Sequence, residues 1–447
     1  MGDVSDSPDT SVVTVLSDRS ALEPKVCEDA ACVASASTAA LRPDRLLLAT
    51  VALFLLWVVG VVWDAQNGTN IPSAAGDKGE VVMRELLRGL PEEKRPVGWE
   101  LDDVDGREIQ RAFADEPPGT RAMAELYRNR GGFEYLLGSM QEGAAASFKG
   151  LLAFDPESTF RGMVAGTIDP IRVLWTKDRY FLVLYGTWSL LVLCLCGGAM
   201  CRSDAERIGS DREVPLSTSI RWVLNDWRRL WGAAMLPPVM VVLLLLPVAL
   251  VLGILSLIPG VDVVIAALWI LPLVFGFAAA ILLVAWLIGL PLIIPAAAME
   301  SGDPGEITVR VATLLRRRPL RAVVLSGTAI LSGLLLWMVI SMVAVFTLSG
   351  TSSALSSIVE PIGPVDLPTW PTLRMESPVV EGDPVEWGAT SRMSSSIIDW
   401  WNGVVIFVAR AWILGFVLLA AGRIYLCLRR AVEKLPFDDL GRPGPLG

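Results

Sequence analysis

The chain of 447 residues contains no histidine. That absence removes imidazole acid–base catalysis, Ser–His and Cys–His nucleophile pairs, and His-ligated metal sites in one step. Charge is also scarce. Asp, Glu, Lys and Arg make up 19% of the chain, against about 25% in an ordinary soluble protein. There is no P-loop, GxSxG, HExxH or GxGxxG pattern, so no catalytic, metal-ligating or cofactor-binding residue is assigned and no cofactor is expected. The cysteines are Cys27, Cys32, Cys194, Cys196, Cys201 and Cys427. None falls in 64–178 or 349–396, the two long segments placed outside below, which excludes a disulfide framework there. Cys27 and Cys32 have no second pair nearby to complete a four-ligand zinc site and read as ordinary thiols. Asn67-Gly68-Thr69 matches a glycosylation acceptor, a pattern short enough to arise by chance.

What the chain has instead is apolar length. It is 53% hydrophobic with a mean hydropathy of +0.52, and several of its runs reach the roughly 20 residues that a membrane-crossing helix needs. Its net charge is −9, and its basic residues form short clusters between apolar runs, as orientation signals do. Nucleic acid is therefore not an expected partner.

In chain order, residues 1–40 are rich in Ser, Asp and Ala and read as a disordered cytoplasmic tail. The first span is 46–63, an uncleaved anchor, because the preceding segment is too long for a signal peptide. Residues 64–178 read as a mostly helical region outside the membrane. Helical patterns fall at 78–88, 106–114, 120–130 and 133–152, lying on the membrane surface without a core of their own. Residues 175–180 (WTKDRY) read as an interfacial anchor. The second span is 181–200, and the third is 230–258 with kinks expected at Pro237, Pro238 and Pro247. Between them, Leu216, Ile220, Val223, Leu224, Trp227, Leu230 and Trp231 share one helical face, marking an amphipathic helix in the headgroup plane.

The run 263–298 is long for one crossing. Two crossings would put Arg310, Arg316, Arg317, Arg318 and Arg321 outside, against the preference of short arginine-rich loops for the cytoplasm. One crossing is therefore expected, and a kinked one; a helix broken near 272–276, or one tilted and projecting from the membrane, would take up the extra length. A second amphipathic helix follows. Asp303 is its N-cap, Pro304 its first residue and Glu306 its capping-box partner, and Ile307, Val311, Leu314 and Leu315 form its apolar stripe. A fifth span covers 322–348, and 349–396 reads as an extended proline-rich outer loop. The last span lies within 397–428, ahead of a cytoplasmic tail at 429–447. Every short loop fits one orientation, with both termini inside. The expected fold is an all-α polytopic membrane bundle of about six spans with two cytoplasmic interfacial amphipathic helices.

The order span, amphipathic helix, span occurs at both 181–258 and 263–348, with Leu224…Arg228-Arg229-Leu230 matching Leu314…Arg318-Pro319-Leu320. This is a candidate internal repeat within a core membrane domain at 179–348. Residues 181–348 resemble a group of uncharacterised bacterial multi-pass membrane proteins. The resemblance is carried by Gly197-Gly198-Ala199-Met200-Cys201-Arg202, the helix after Pro215, and Pro291–Arg321. More distantly, the second segment is similar to the membrane domain found beside some glycerophosphodiester phosphodiesterases. No catalytic barrel is present, so the resemblance implies architecture and an inner-membrane location but no hydrolytic activity.

Two sites stand out. Arg410 interrupts the last apolar run, where an arginine at the membrane centre costs about 2.5–3.5 kcal/mol. It either binds an anionic group such as a lipid phosphate or snorkels to the surface; Asp262 is the partner suggested for it. Glu300 ends a span and reads as an interfacial carboxylate among arginines. Arg316, Arg317 and Arg318 are candidate contacts for anionic lipid. The expected function is a non-enzymatic envelope scaffold, lipid-interacting or regulatory component, whose partners are bilayer lipids and other membrane proteins. The alternative is a transporter or channel, and a further one is an enzyme built on 64–178. Neither alternative is supplied with an obvious coupling or catalytic group.

Overall fold

The computed structural model describes residues 22–68, 71, 76–91, 95–96, 106–113, 120, 123–124, 127–210, 214–257, 266, 268–359 and 389–433. The chain is an all-α polytopic membrane protein. Six helices are long and apolar enough to cross a bilayer: Pro43–Asn67, Arg179–Gly209, Trp227–Leu255, Ile270–Met299, Pro319–Gly350 and Trp400–Glu433. The described residues fall into two compact units. One holds those up to 53, from 190 to 359 and from 399 onward; the other holds 54–189 and 389–398.

The first unit begins where the sequence reads as a disordered tail. Residues 22–40 instead form α1 (Leu22–Ala34) and α2 (Ala36–Ala39), and Asp29, Val33 and Ala36 are completely buried. The composition misleads because alanine, which offers little apolar surface to a core, is nevertheless the best helix former. Its small side chain also lets a helix lie close against neighbours. Residues 1–21 lie outside the described residues.

α3 (Pro43–Asn67) is the first long helix. The second is α8 (Arg179–Val192), a π-helical turn at Leu193–Gly197, and α9 (Gly198–Ser210). It does not end at Met200 but continues as helix to Ser210, and Asp204 within it is 3% exposed.

 The helix therefore runs on past the expected end of the span, and the polar residues 202–204 are buried inside the bundle. The resembling motif at 197–202 is a packing face. A Cβ on Gly197 would lie 2.8 Å from Leu418 Cδ2 and one on Gly198 2.5 Å from Leu230 Cδ2, while Ala199, Met200 and Cys201 are at most 1% exposed.

α10 (Leu216–Asn225) and α11 (Trp227–Leu255) are separate helices. The expected amphipathic helix breaks at Asp226, and Leu230 and Trp231 belong to the span. α11 carries Pro237 and Pro238 inside it. A proline has no N–H, so each frees the carbonyl four residues earlier, here those of Ala233 and Ala234. Both carbonyls meet outside donors: Trp286 Nε1 donates to Ala234 O at 2.8 Å, and the Thr308 hydroxyl shares its one proton between Ala233 O at 3.2 Å and Pro304 O of its own helix at 3.0 Å. The prolines of one helix thus create the sites that hold its neighbours.

Within the run 263–298, expected to be one kinked crossing, the residues from 270 on form one continuous helix, α12 (Ile270–Met299). Pro272 sits in its first turn, where proline is tolerated, so no break occurs at 272–276. α13 (Pro304–Arg317) follows, with Pro304 at its start, and buries Ile307, Val311 and Leu314. α14 (Pro319–Val359) and α15 (Ala389–Glu433) complete the unit. They extend helix into both ends of the expected 349–396 loop and five residues into the expected 429–447 tail. The remaining stretches, 360–388 and 434–447, lie outside the described residues, as do 258–265 and part of 120–126. The repeat in element order is present, but its matched leucines are not in matched places. Leu224 is 55% and Leu314 3% exposed, while Leu230 is 0% and Leu320 82% exposed.

The second unit has small cores of its own, contrary to the expectation of surface-lying helices. α4 (Gly76–Gly89) and α5 (Gly106–Ala112) bring Met83, Leu87, Leu90, Ile109 and Phe113 together. Their spacing of three or four residues was visible; the low overall apolar content concealed that so few residues suffice. α6 (Gly132–Leu152) and α7 (Pro156–Lys177) form a hairpin. α7 starts where Asp155 accepts from Glu157 N at 3.0 Å, with Pro156 as the first helical residue, a start signal that the sequence carries. The hairpin closes on glycine: a Cβ on Gly143 would lie 2.3 Å from Gly166 Cα.

Candidate functional site

Six arginines of the first unit gather on three buried carboxylates. Asp204, in the middle of α9, accepts from Arg423 Nε at 2.7 Å and Nη2 at 3.0 Å, and Arg45 Nη1 lies 2.8 Å from it. Arg45 and Arg423 are 1% and 5% exposed. Arg423 also donates to Cys32 O at 2.8 Å, so one guanidinium ties α1 to α9 and α15. Asp29 of α1 pairs with Arg321 of α14 and lies 3.5 Å from Arg430 Nη1 of α15.

Glu300 is the third. It is the residue after α12, in an extended conformation, and is 8% exposed. Arg310 Nη1 donates to its Oε2 at 2.7 Å, the Tyr425 hydroxyl donates to its Oε1, and Arg429 Nη1 lies 3.7 Å away. The bond to Glu300 holds the Arg310 guanidinium above its ordinary range. The sequence placed Glu300 among arginines; it did not reveal Tyr425, whose partner is 125 residues away. All three carboxylates are locked by guanidinium groups, which suits holding helices together and leaves none poised as a general base. Among the described residues no group of three or more Cys, Asp or Glu is arranged to hold a metal ion.

No family model, curated protein or solved structure matches the chain.

The arginines singled out from sequence behave differently. Arg316, Arg317 and Arg318 end α13 and are all exposed. None of them makes an ion pair with a described residue, in contrast to Arg310 and Arg321 on either side. Arg410 is exposed on α15 and is likewise unpaired among the described residues; Asp262 lies outside them. Arg316–Arg318 and Arg410 are not brought together with Glu300 into one constellation.

A groove missed by sequence reasoning lies beside the three arginines. It has a volume of about 750 Å³ and is walled by α12, α14 and α15, with Leu292, Gly327, Phe416 and Ala420 in its lining. Leu315 and Pro319 line its end, so Arg316–Arg318 are the chain segment between two of its wall residues. Ser326 is the one polar side chain in the lining. No sequence signal marks it, because its walls come from three helices far apart in the chain.

Proposed function

We propose that the protein is a non-enzymatic, lipid-interacting scaffold or regulatory component of a bacterial inner membrane, with both termini in the cytoplasm. The observation that carries this reading is the state of Arg316–Arg318. Arginines at the same end of the bundle are committed to buried carboxylates, whereas these three are exposed and have no described partner. They close an amphipathic helix whose apolar residues Ile307, Val311 and Leu314 are buried. Cationic side chains at a membrane surface attract anionic lipid. Their clustering with Arg310, Arg321, Arg423 and Arg429 supports a cytoplasmic location for this end by the positive-inside preference.

The test is lipid association. The protein, purified in native-lipid particles, should carry anionic lipid in excess of its share of the membrane. Replacing Arg316, Arg317 and Arg318 by Gln should remove that excess. An unchanged lipid profile in the triple variant would sink the lipid-contact reading. Cysteine labelling from either side of sealed vesicles tests orientation: Cys27, which is exposed, should react from the cytoplasmic side alone.

A further inference from the structure

We infer that the groove walled by α12, α14 and α15 seats an acyl chain of one anionic phospholipid, whose phosphate lies on Arg316–Arg318. The inference rests on the lipid-contact reading and adds a seat to it. Along α14 the lining runs from Pro319 to Ile330, a rise of about 16 Å at 1.5 Å per residue. That is about the depth of one leaflet, half of a hydrocarbon core of roughly 30 Å. The volume of about 750 Å³ falls within the roughly 300–1,000 Å³ typical of sites that enclose a small ligand.

The apolar lining cannot select a lipid by itself, since a chain leaving the bilayer for the groove exchanges one hydrocarbon surface for another. The groove supplies shape, and selection falls to charge. The lining holds no charged side chain, and the three exposed arginines stand at its end. Each cation near an anionic surface contributes roughly fivefold, on the order of 100-fold for three. Salt screens exposed groups, so an enrichment of about tenfold is expected.

Gly327 gives a clean way to close the groove. It lines the wall, and a Cβ there meets nothing within 4 Å, so Gly327→Phe adds bulk to the groove from a position where the first new carbon is unopposed. Gly253 on α11 is equally open and outside the lining, which makes Gly253→Phe the control. Full-length protein is reconstituted in nanodiscs of equal phosphatidylglycerol and phosphatidylcholine, and retained lipid is counted by native mass spectrometry. Wild type and Gly253→Phe should retain phosphatidylglycerol about tenfold over phosphatidylcholine. Arg316–Arg318→Gln should lose the preference, and Gly327→Phe should lose the retained lipid with the arginines intact.

If Gly327→Phe retains lipid as wild type does while the arginine variant loses its preference, the groove is not the seat and the broader lipid-contact reading stands. If neither variant changes the profile, both fail. Equal retention of the two lipids by wild type overturns the anionic assignment. Should Gly327→Phe not fold, Ser326→Trp, at an exposed lining position, carries the same test.

Discussion

Asp204→Ala is the substitution that most sharply tests how the first unit is held together. Asp204 is 3% exposed and accepts two hydrogen bonds from Arg423, with Arg45 as a second ion-pair partner. Neither arginine can turn to solvent, since their side chains are 1% and 6% exposed. Removing the carboxylate leaves two guanidinium groups facing each other in a buried site. Among the described residues Arg423 keeps Cys32 O and the Ser35 hydroxyl, and Arg45 keeps Ala39 O at 3.5 Å. Breaking a buried pair in this way costs about 3–5 kcal/mol, and nothing here discounts that for solvent. Glu300→Gln is the built-in comparison. Its main partner Arg310 has a side chain 38% exposed, so the guanidinium can rehydrate, and a loss of about 1–2 kcal/mol is expected. The assay is equilibrium unfolding in lipid nanodiscs, with both variants at one protein concentration. Asp204→Ala should lose at least twice as much stability as Glu300→Gln. Equal losses, or a loss below about 1 kcal/mol for Asp204→Ala, would refute the argument that burial of the arginines sets the penalty. A double replacement, Asp204→Leu with Arg45→Met, should recover part of the loss, because it removes an uncompensated charge.

The proline-freed carbonyls give a second expectation. Thr308→Val and Trp286→Phe each orphan one buried acceptor on α11 and should destabilise by about 1–3 kcal/mol each in the same assay. Gly143→Ala places a Cβ 2.3 Å from Gly166 Cα; backbone must shift, costing about 1–3 kcal/mol, and limited proteolysis should cut the α6–α7 turn faster. Gly253→Ala, in open space, should be neutral or slightly stabilising. Cys32 is held below the ordinary thiol range by its hydrogen bond with Cys427, against burial and with help from Arg423. A lowered value means thiolate present at lower pH, so with Cys27 replaced by Ser, alkylation of Cys32 should reach its plateau at a lower pH than that of a free thiol. A rate rising only above the ordinary range would contradict the packing of α1 on α15.

The elements legible in the sequence were those that a local pattern specifies. Apolar runs give the six long helices, and Asp303-Pro304-Gly305-Glu306 marks the start of α13, although the Asp303 side chain makes no capping bond there. Glu300 was legible as a carboxylate near arginines because Arg310 is ten residues away. What was not legible depends on distance in the chain. Asp29 reads as one polar residue in an alanine-rich tail until Arg321 and Arg430, some 300 and 400 residues on, fold against it. A carboxylate that will be paired looks the same in sequence as one that will be solvated. The loss of the tail reading follows directly, since composition reports how much apolar surface a segment has and not whether a cation awaits its acid. Glycine shows the same limit: Gly143 and Gly327 are both helical glycines, one pressed against a backbone and the other facing open space.

The arginines show why position along the chain and role in the fold separate. Arg310, Arg316, Arg317, Arg318 and Arg321 lie within twelve residues and all read as one orientation signal. In the bundle the outer two are used to lock it, through Glu300 and Asp29, and the inner three are left at the surface. The reason is helical phase. Arg310 sits one turn from Leu314 on α13 and reaches back to the residue that ends α12. Arg321 sits in the first turn of α14, beside α1. Arg316 and Arg317 close the last turn of α13 and Arg318 is the single residue between α13 and α14, and all three are exposed. A charge that only had to orient the protein could sit at any of the five. Neutralising Arg321 should therefore release α1 and destabilise the fold, whereas neutralising Arg317 should leave the unfolding transition in place and change only what binds at the surface.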